Sequence, residues 1–154
     1  LDLPPLLAKG TRPVPNGAGK DAVIEFRNVS FRYPGAETCA LENLNLTFTP
    51  GKRMAVVGLN GSGKTTMIKL LCRLYDPTER EILLDGVEIR AYDVDQYRAL
   101  FSVVFQDFAL FPLALGENVA ASGTVDRDRA TEALRRSGFG ARLERMEEGL
   151  DTYL

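Results

Sequence analysis

Eight consecutive residues, from Gly58 to Thr65, read Gly-Leu-Asn-Gly-Ser-Gly-Lys-Thr and fit the pattern G-x-x-x-x-G-K-[ST]. Glycines at these positions let the backbone adopt positive φ and approach an anion, so that successive N–H groups point into one concavity. Lys64 adds a mobile positive charge, and the Thr65 hydroxyl is a hard oxygen ligand suited to Mg²⁺. The segment predicts binding of a nucleoside triphosphate. The residues expected to hold it are Gly58, Leu59, Asn60, Gly61, Ser62, Gly63, Lys64, Thr65 and Thr66.

The segments on either side of this loop have the patterns of a strand and a helix. Residues 54–57 form a short apolar run between Pro50-Gly51 and Gly58, which predicts a buried parallel strand. Residues 65–75 carry apolar side chains at helical spacing, so the loop is expected to end at a helix N-terminus, where the dipole favours phosphate. Strand, loop and helix therefore follow in the order that a phosphate site requires.

The rest of the chain alternates between short strand and helix patterns. Residues 1–20 contain four prolines and three glycines, which predicts a linker or extended arm, with a domain at 21–154. Asp85-Gly86 predicts a type I′ hairpin turn, and Asp93 with Gln96 predicts a helix cap. Further predicted elements are antiparallel strands at 23–33 and 44–48, a helix ending near Leu100, a buried strand at 102–105, and helices at 126–137 and 140–148.

Composition narrows the classes of function. The net charge is −2 and the chain has no histidine, so no basic field favours a nucleic-acid partner and imidazole chemistry is excluded. Cys39 and Cys72 are not spaced as a metal site. No run reaches the roughly 18 to 20 apolar residues of a membrane span, and no signal peptide is recognised, so we expect a soluble chain.

Read with its surroundings, the loop belongs to a series of motifs that resembles the nucleotide-binding domain of ATP-binding cassette (ABC) transporters, most closely the exporter type. The segments that carry the resemblance are Phe31-Arg32-Tyr33-Pro34-Gly35, Ala40-Leu41-Glu42-Asn43-Leu44-Asn45-Leu46, Asp76-Pro77-Thr78, Ile82-Leu83-Leu84-Asp85-Gly86, Val104-Phe105-Gln106-Asp107, Leu110-Phe111 and Glu117-Asn118. The resemblance implies an α/β fold: a P-loop NTPase core of strand, phosphate loop and helix, with an antiparallel β subdomain. It also implies ATP and Mg²⁺ as cofactors.

The resemblance assigns roles to three further sites, and each has a plainer alternative. Tyr33 looks like the aromatic residue that stacks on adenine, although it could be a core aromatic at a strand end. Gln106 looks like the glutamine that reaches Mg²⁺ and the attacking water, which with Lys64 makes up the expected catalytic pair; otherwise it is a polar residue ending a strand. The apolar loop at 108–115, from Phe108 to Leu115, resembles the surface that receives the transmembrane domains, or is simply packed.

Several family elements are not recognised in the sequence. A P-loop ATPase needs an acidic residue after a second hydrophobic strand, and Asp85 mimics that position but is better explained by the hairpin. The family's signature motif, catalytic glutamate and switch histidine are not found either. We therefore expect an N-terminal portion of the cassette, a truncated ABC ATPase domain that does not hydrolyse ATP alone. Arg80 stands where the family commonly carries glycine, which leaves the geometry of that turn open.

The resemblance places hydrolysis and export in a full-length head-to-tail dimer of two nucleotide-binding domains at the cytoplasmic face of a membrane. The alternatives are a nucleotide-binding module without catalysis, a soluble P-loop kinase or GTPase, and a soluble ABC-superfamily member. A GTPase would carry an Asn-Lys-x-Asp element, which is absent. The arginines of a kinase lid would have to come from residues 127–136, where alternating acidic residues favour a solvated helix face.

Overall fold

The structure, a computed structural model, describes Leu7 and residues 10–105, 110–121 and 124–154. The chain divides into two compact units, one up to Val103 and one from Val104 to Leu154. The elements of the first unit are α1 (Ala18–Asp21), β1 (Ile24–Phe31), β2 (Leu41–Phe48), α2 (Lys64–Leu71), β3 (Glu79–Leu84), β4 (Val87–Glu88), a 3₁₀ turn (Ile89–Ala91) and α3 (Val94–Arg98). Those of the second are α4 (Leu115–Ala120), α5 (Arg127–Arg136), α6 (Gly140–Leu143) and a 3₁₀ turn (Gly149–Asp151).

An antiparallel sheet with the order β2-β1-β3-β4 forms the frame of the first unit. Ile24 on β1 pairs with Phe48 on β2 and with Leu84 on β3, so the apolar faces of three strands are in register. In β2, residues 44–48 are alternately half-buried and exposed, because successive side chains of a strand point to opposite faces of the sheet. The predicted antiparallel strands are confirmed.

The turn between β3 and β4 is the predicted hairpin. Asp85 and Gly86 have φ of 49° and 76°, the left-handed conformation that a type I′ turn needs at both positions. The Asp85 carboxylate also accepts a hydrogen bond from the Val23 N–H, with Oδ1 2.8 Å from the nitrogen. Asp85 is thus a turn residue that ties β1 to the hairpin.

Helix α2, which begins within the phosphate loop, packs against the core of the first unit. Its buried Met67 and Leu70 belong to one apolar cluster with side chains of β1 and β3 and with Tyr92 and Tyr97. The helix ends at Leu71 rather than continuing to residue 75, because Arg73 takes a left-handed φ of 52°. Cys72 is buried on the apolar side of the helix end.

Arg73 is a buried residue with several hydrogen-bond partners, and the sequence analysis did not identify it. Its side chain is fully buried, and its guanidinium donates to the carbonyl oxygens of Ile89 at 3.2 Å and Tyr92 at 3.0 Å. It also forms an ion pair with Asp76, whose Oδ1 lies 3.3 Å from Nε. Because a buried guanidinium must be hydrogen-bonded, this arrangement fixes the end of α2 against the segment before α3.

Two predicted strands do not form. Residues 54–57 and 102–105 have no strand structure, and Val57 and Val104 are 91% and 88% exposed. A parallel strand is stabilised by neighbours on both edges and by cover on both faces. Within the described residues no strand pairs with either segment, so apolar composition alone does not make them strands.

The cap of α3 is formed as predicted, since the Asp93 side chain accepts a hydrogen bond from the Gln96 N–H at 2.9 Å. The helix ends at Arg98, two residues before the predicted end. Arg80, expected at a turn, lies within β3 at the register shift between the pairs Ser30–Glu79 and Arg27–Glu81, and its φ of 66° is the left-handed geometry that glycine adopts without strain.

The described part of the N-terminal segment lies against the first unit. Arg12 pairs with Tyr92 through one parallel bridge, with its N–H donating to the Ala91 carbonyl at 3.0 Å. Gly10 packs so closely that a Cβ there would lie 2.3 Å from the Ala91 oxygen. Backbone contacts of this kind leave no pattern in side-chain composition.

In the second unit, α5 spans most of the predicted range and is capped by Asp126, which accepts from the Arg129 N–H. The small core of the second unit consists of four buried residues, Leu115, Ala130, Leu134 and Leu150. The last predicted helix is shorter than expected, ending at Leu143 instead of residue 148. Among the helices that the structure describes, none has the length and apolar character of a membrane span.

Candidate functional site

The loop from Gly58 to Thr65 leads directly into α2, as the motif predicts. Gly61 and Gly63 have φ of 81° and 85°, a conformation that side chains with a Cβ rarely adopt. At Gly63 a Cβ would also lie 2.5 Å from Leu41 Cδ2 and 2.7 Å from the Ala40 oxygen. The glycine therefore serves both the loop conformation and the approach of the loop to β2.

Lys64 folds back over the loop. Its ammonium donates to the carbonyl oxygens of Gly58 and Leu59, each at 2.7 Å, and to Ser62 Oγ at 3.3 Å. All three acceptors are neutral, so anionic phosphate oxygens would be stronger partners for the same ammonium. The geometry places a positive charge against the backbone carbonyls of the loop.

The Thr65 side chain is exposed at the first turn of α2, where a metal bound to a phosphate could reach its hydroxyl. Gln106, the other predicted metal ligand, lies outside the described residues. Across the part of the chain that is described, no group of three or more Cys, Asp or Glu side chains could hold a metal by itself.

Tyr33 lies beside the same helix. Its hydroxyl is 3.2 Å from Thr66 Oγ1, and its ring is nearly perpendicular to those of Phe31 and Tyr75, at centroid distances of 4.9 and 5.4 Å. The ring is half-buried, so part of it remains accessible. The structure brings Tyr33 to the phosphate loop while also giving it the contacts of a core aromatic.

Lys69 is a nearby residue that sequence reasoning missed. Its ammonium lies 5.5 Å from the centroid of the Tyr33 ring. Lys69 follows Thr66 by three residues, so both occupy one face of α2. That spacing is visible in the sequence, but its meaning depends on Tyr33, which is distant along the chain.

The predicted docking loop begins outside the described residues, at Phe108 and Ala109. Its described part exposes Leu110 and Phe111, while Leu115 is buried at the start of α4. Asn118 holds this loop: its Oδ1 accepts from the Phe111 N–H, and its amide donates to three carbonyl oxygens of residues 111–114. An apolar loop is therefore displayed in a fixed shape rather than packed throughout.

Comparison with known proteins gives matches over most of the chain. The ABC transporter family model matches residues 41–151. The ATP-dependent lipid A-core flippase of Burkholderia orbicola (strain AU 1054) is 40% identical over 154 residues, which is 100% of this chain and 26% of the flippase. The flippase of the same name from Escherichia coli (strain K12) is 38% identical over 148 residues, 95% of this chain and 25% of its own length.

A solved structure of a bacterial Atm1-family ABC exporter with ATP bound superposes with a TM-score of 0.80 at 32% identity, covering 94% of this chain and 26% of the exporter. The predicted fold class, a P-loop NTPase fold with an antiparallel β subdomain, is confirmed by this match. The chain spans about a quarter of the length of the relatives it matches. With a family model over residues 41–151 and relatives along its whole length, this chain belongs to the ABC transporter family.

Proposed function

We propose that this chain is the ATP-binding part of an ABC exporter's nucleotide-binding domain, with the triphosphate held by the loop from Gly58 to Thr66. The observation that carries the proposal is the loop itself: left-handed Gly61 and Gly63, a lysine ammonium folded over the loop backbone, and a helix that begins at Lys64. Each of these features favours a polyanion. The ATP bound to the similar Atm1-family exporter supports the same ligand.

Within this proposal, Lys64 leaves its neutral carbonyl partners for phosphate oxygens. Its ammonium reaches Gly58 and Leu59 now, so a short movement of a flexible side chain is enough. The Thr65 hydroxyl, with Gln106, would be the protein's ligand to Mg²⁺, which when bound neutralises phosphate charge. Tyr33 would receive the adenine ring, since a phenol ring offers contact area with few rotatable bonds.

Hydrolysis and export belong, in this proposal, to the whole transporter with two nucleotide-binding domains arranged head to tail. The loop at 108–115, whose described residues Leu110, Phe111 and Leu113 are exposed, would contact the transmembrane domains. Lipid A-core flippases among the relatives suggest a lipid as the exported substrate. The chain would then act at the cytoplasmic face of the membrane.

The first test is thermal unfolding of the chain with and without Mg-ATP, with phosphate release measured on the same samples. A ligand at about one hundred times its dissociation constant adds roughly 2.7 kcal/mol if it binds only the folded state. We expect this stabilisation without phosphate release, because Asp85, the one acidic residue in the expected sequence context, is held in a turn.

Lys64→Ala should remove most of the stabilisation by ATP, because a charge-assisted contact is lost. Lys20→Ala, an exposed lysine on α1, is the matched control and should keep it. Equal stabilisation of both variants would contradict the assignment of the loop.

Tyr33→Ala should weaken the binding of ATP and leave the binding of inorganic tripolyphosphate unaffected. Equal losses of affinity for the two ligands would make Tyr33 a core residue only.

A further inference from the structure

We propose that Lys69 is a positioning residue for nucleobase recognition, which holds the Tyr33 ring in place through the face of that ring. The inference rests on the proposed function, because it assumes that Tyr33 receives the base. It assigns a role to a lysine that lies outside the phosphate-loop motif, and it makes base binding depend on a charge that does not touch phosphate.

The first support is the geometry around Tyr33. The Lys69 ammonium lies over the ring at 5.5 Å from its centroid, within the range of an attractive cation–π contact. The Tyr33 hydroxyl is tied to Thr66 at 3.2 Å, one turn earlier on the same helix. The ring is therefore attached to α2 at its hydroxyl and at one face.

The second support is the absence of another partner for this ammonium. In the described ranges of the chain, no carboxylate forms an ion pair with Lys69 and its Nζ donates no hydrogen bond. Lys69 is half-buried, so its stem is held along the protein surface. Its orientation is best explained by the aromatic face that it covers.

The third support is the arrangement of the neighbouring rings. Phe31 and Tyr75 stand at 82° and 85° to Tyr33, and they restrict its rotation. With one face under Lys69, a base that stacks on Tyr33 meets a ring whose orientation is already fixed. Binding to a fixed ring avoids the loss of side-chain freedom that a mobile ring would suffer, so affinity rises.

A different role for Lys69 is stabilisation of the C-terminal end of α2 by its charge. That role would change the stability of the chain but would not distinguish ATP from tripolyphosphate. The two explanations are therefore distinguished by whether substitution of Lys69 lowers the affinity for ATP alone or for both ligands.

The test measures the affinity of the full 154-residue chain for Mg-ATP and for inorganic tripolyphosphate by titration calorimetry. Lys69→Met keeps the length of the stem and removes the charge, Lys69→Arg keeps a cation able to stack, and Lys20→Met is the control on α1. We expect Lys69→Met to weaken ATP roughly two- to fivefold, the size of a cation–π contact, and to leave tripolyphosphate unchanged. Lys69→Arg and Lys20→Met should match the unsubstituted chain.

A double-mutant cycle with Tyr33→Ala supplies the second readout. If Lys69 acts through Tyr33, then Lys69→Met has no further effect on ATP affinity once Tyr33 is alanine. Unchanged or tighter ATP binding in Lys69→Met, equal loss for both ligands, or an undiminished effect in the Tyr33→Ala background would each overturn the inference. An unsubstituted chain that binds neither ligand would instead overturn the proposed function.

Discussion

The two cysteines of the chain have opposite environments. Cys39 is exposed in the loop before β2, whereas Cys72 is buried at the end of α2. Burial raises the pKa of the Cys72 thiol above its ordinary value, because the thiolate is poorly solvated there, and the nearby positive charge of Arg98 opposes this only in part. A raised pKa and a buried sulfur both make a cysteine unreactive.

We expect a thiol-reactive disulfide reagent to label one cysteine rapidly and the other only as the chain unfolds. Cys39→Ala should remove the fast phase and Cys72→Ala the slow one. The pH dependence follows from the sign of the shift: because the pKa of Cys72 is higher in the folded than in the unfolded chain, stability is retained below the unfolded thiol pKa and is lost as pH rises through the folded pKa. The free energy of unfolding should therefore fall less steeply at alkaline pH in Cys72→Ala, as urea titrations can measure; identical pH dependence would contradict this environment.

Single residues differ in how well the sequence foretells them. Gly61 and Gly63 are predictable, because the motif requires positive φ at positions that the structure shows to be left-handed. Lys69 and Arg73 are not, because their partners, Tyr33 and the carbonyls of Ile89 and Tyr92, lie far away in sequence. A lysine on a helix and an arginine just after its end are ordinary until the chain has folded around them.

At the scale of elements, the phosphate loop is joined to the sheet through one glycine. Gly63 approaches β2 so closely that a Cβ would overlap Leu41 and the Ala40 carbonyl, whereas at Gly61 a Cβ would meet nothing within 4 Å. Both glycines have nearly the same positive φ. Substitutions at the two positions therefore distinguish the cost of backbone strain, which both share, from the cost of steric contact, which only Gly63 has.

Gly61→Ala should cost only the left-handed strain, on the order of 1 kcal/mol. Gly63→Ala should cost that strain plus the displacement of β2, about 1 to 3 kcal/mol more. Denaturant unfolding without nucleotide measures both. Equal losses in the two variants would mean that the loop is not packed on β2.

Elements that depend on residues close in sequence were predicted correctly, whereas two predicted parallel strands did not form because they have no partner among the described residues. The hairpin at Asp85-Gly86 and the cap at Asp93 are formed by residues close in sequence, and both are confirmed. The apolar runs at 54–57 and 102–105 read as strands because buried strands have that composition, but a strand also needs a neighbour to bond. Apolar composition cannot supply that neighbour.

At the scale of the whole molecule, the chain displays apolar segments that a folded sheet would cover. Val57 and Val104 are almost fully exposed, each in a segment without strand pairing in the described ranges. A strand-forming sequence whose N–H and C=O groups are unpaired pairs readily with another chain. Since the chain spans about a quarter of its relatives' length, residues elsewhere in those proteins can occupy such edges.

We therefore expect the isolated chain to self-associate as its concentration rises, through these two segments. Val57→Lys and Val104→Lys should each shift association to higher concentration in sedimentation velocity, because a charged side chain disfavours edge pairing. Thr49→Lys adds the same charge at an exposed position that precedes the first segment, and it should leave association unchanged. If neither valine variant differs from Thr49→Lys while Phe111→Lys prevents association, the contact lies instead in the exposed loop before α4, and the unpaired segments are tolerated in water.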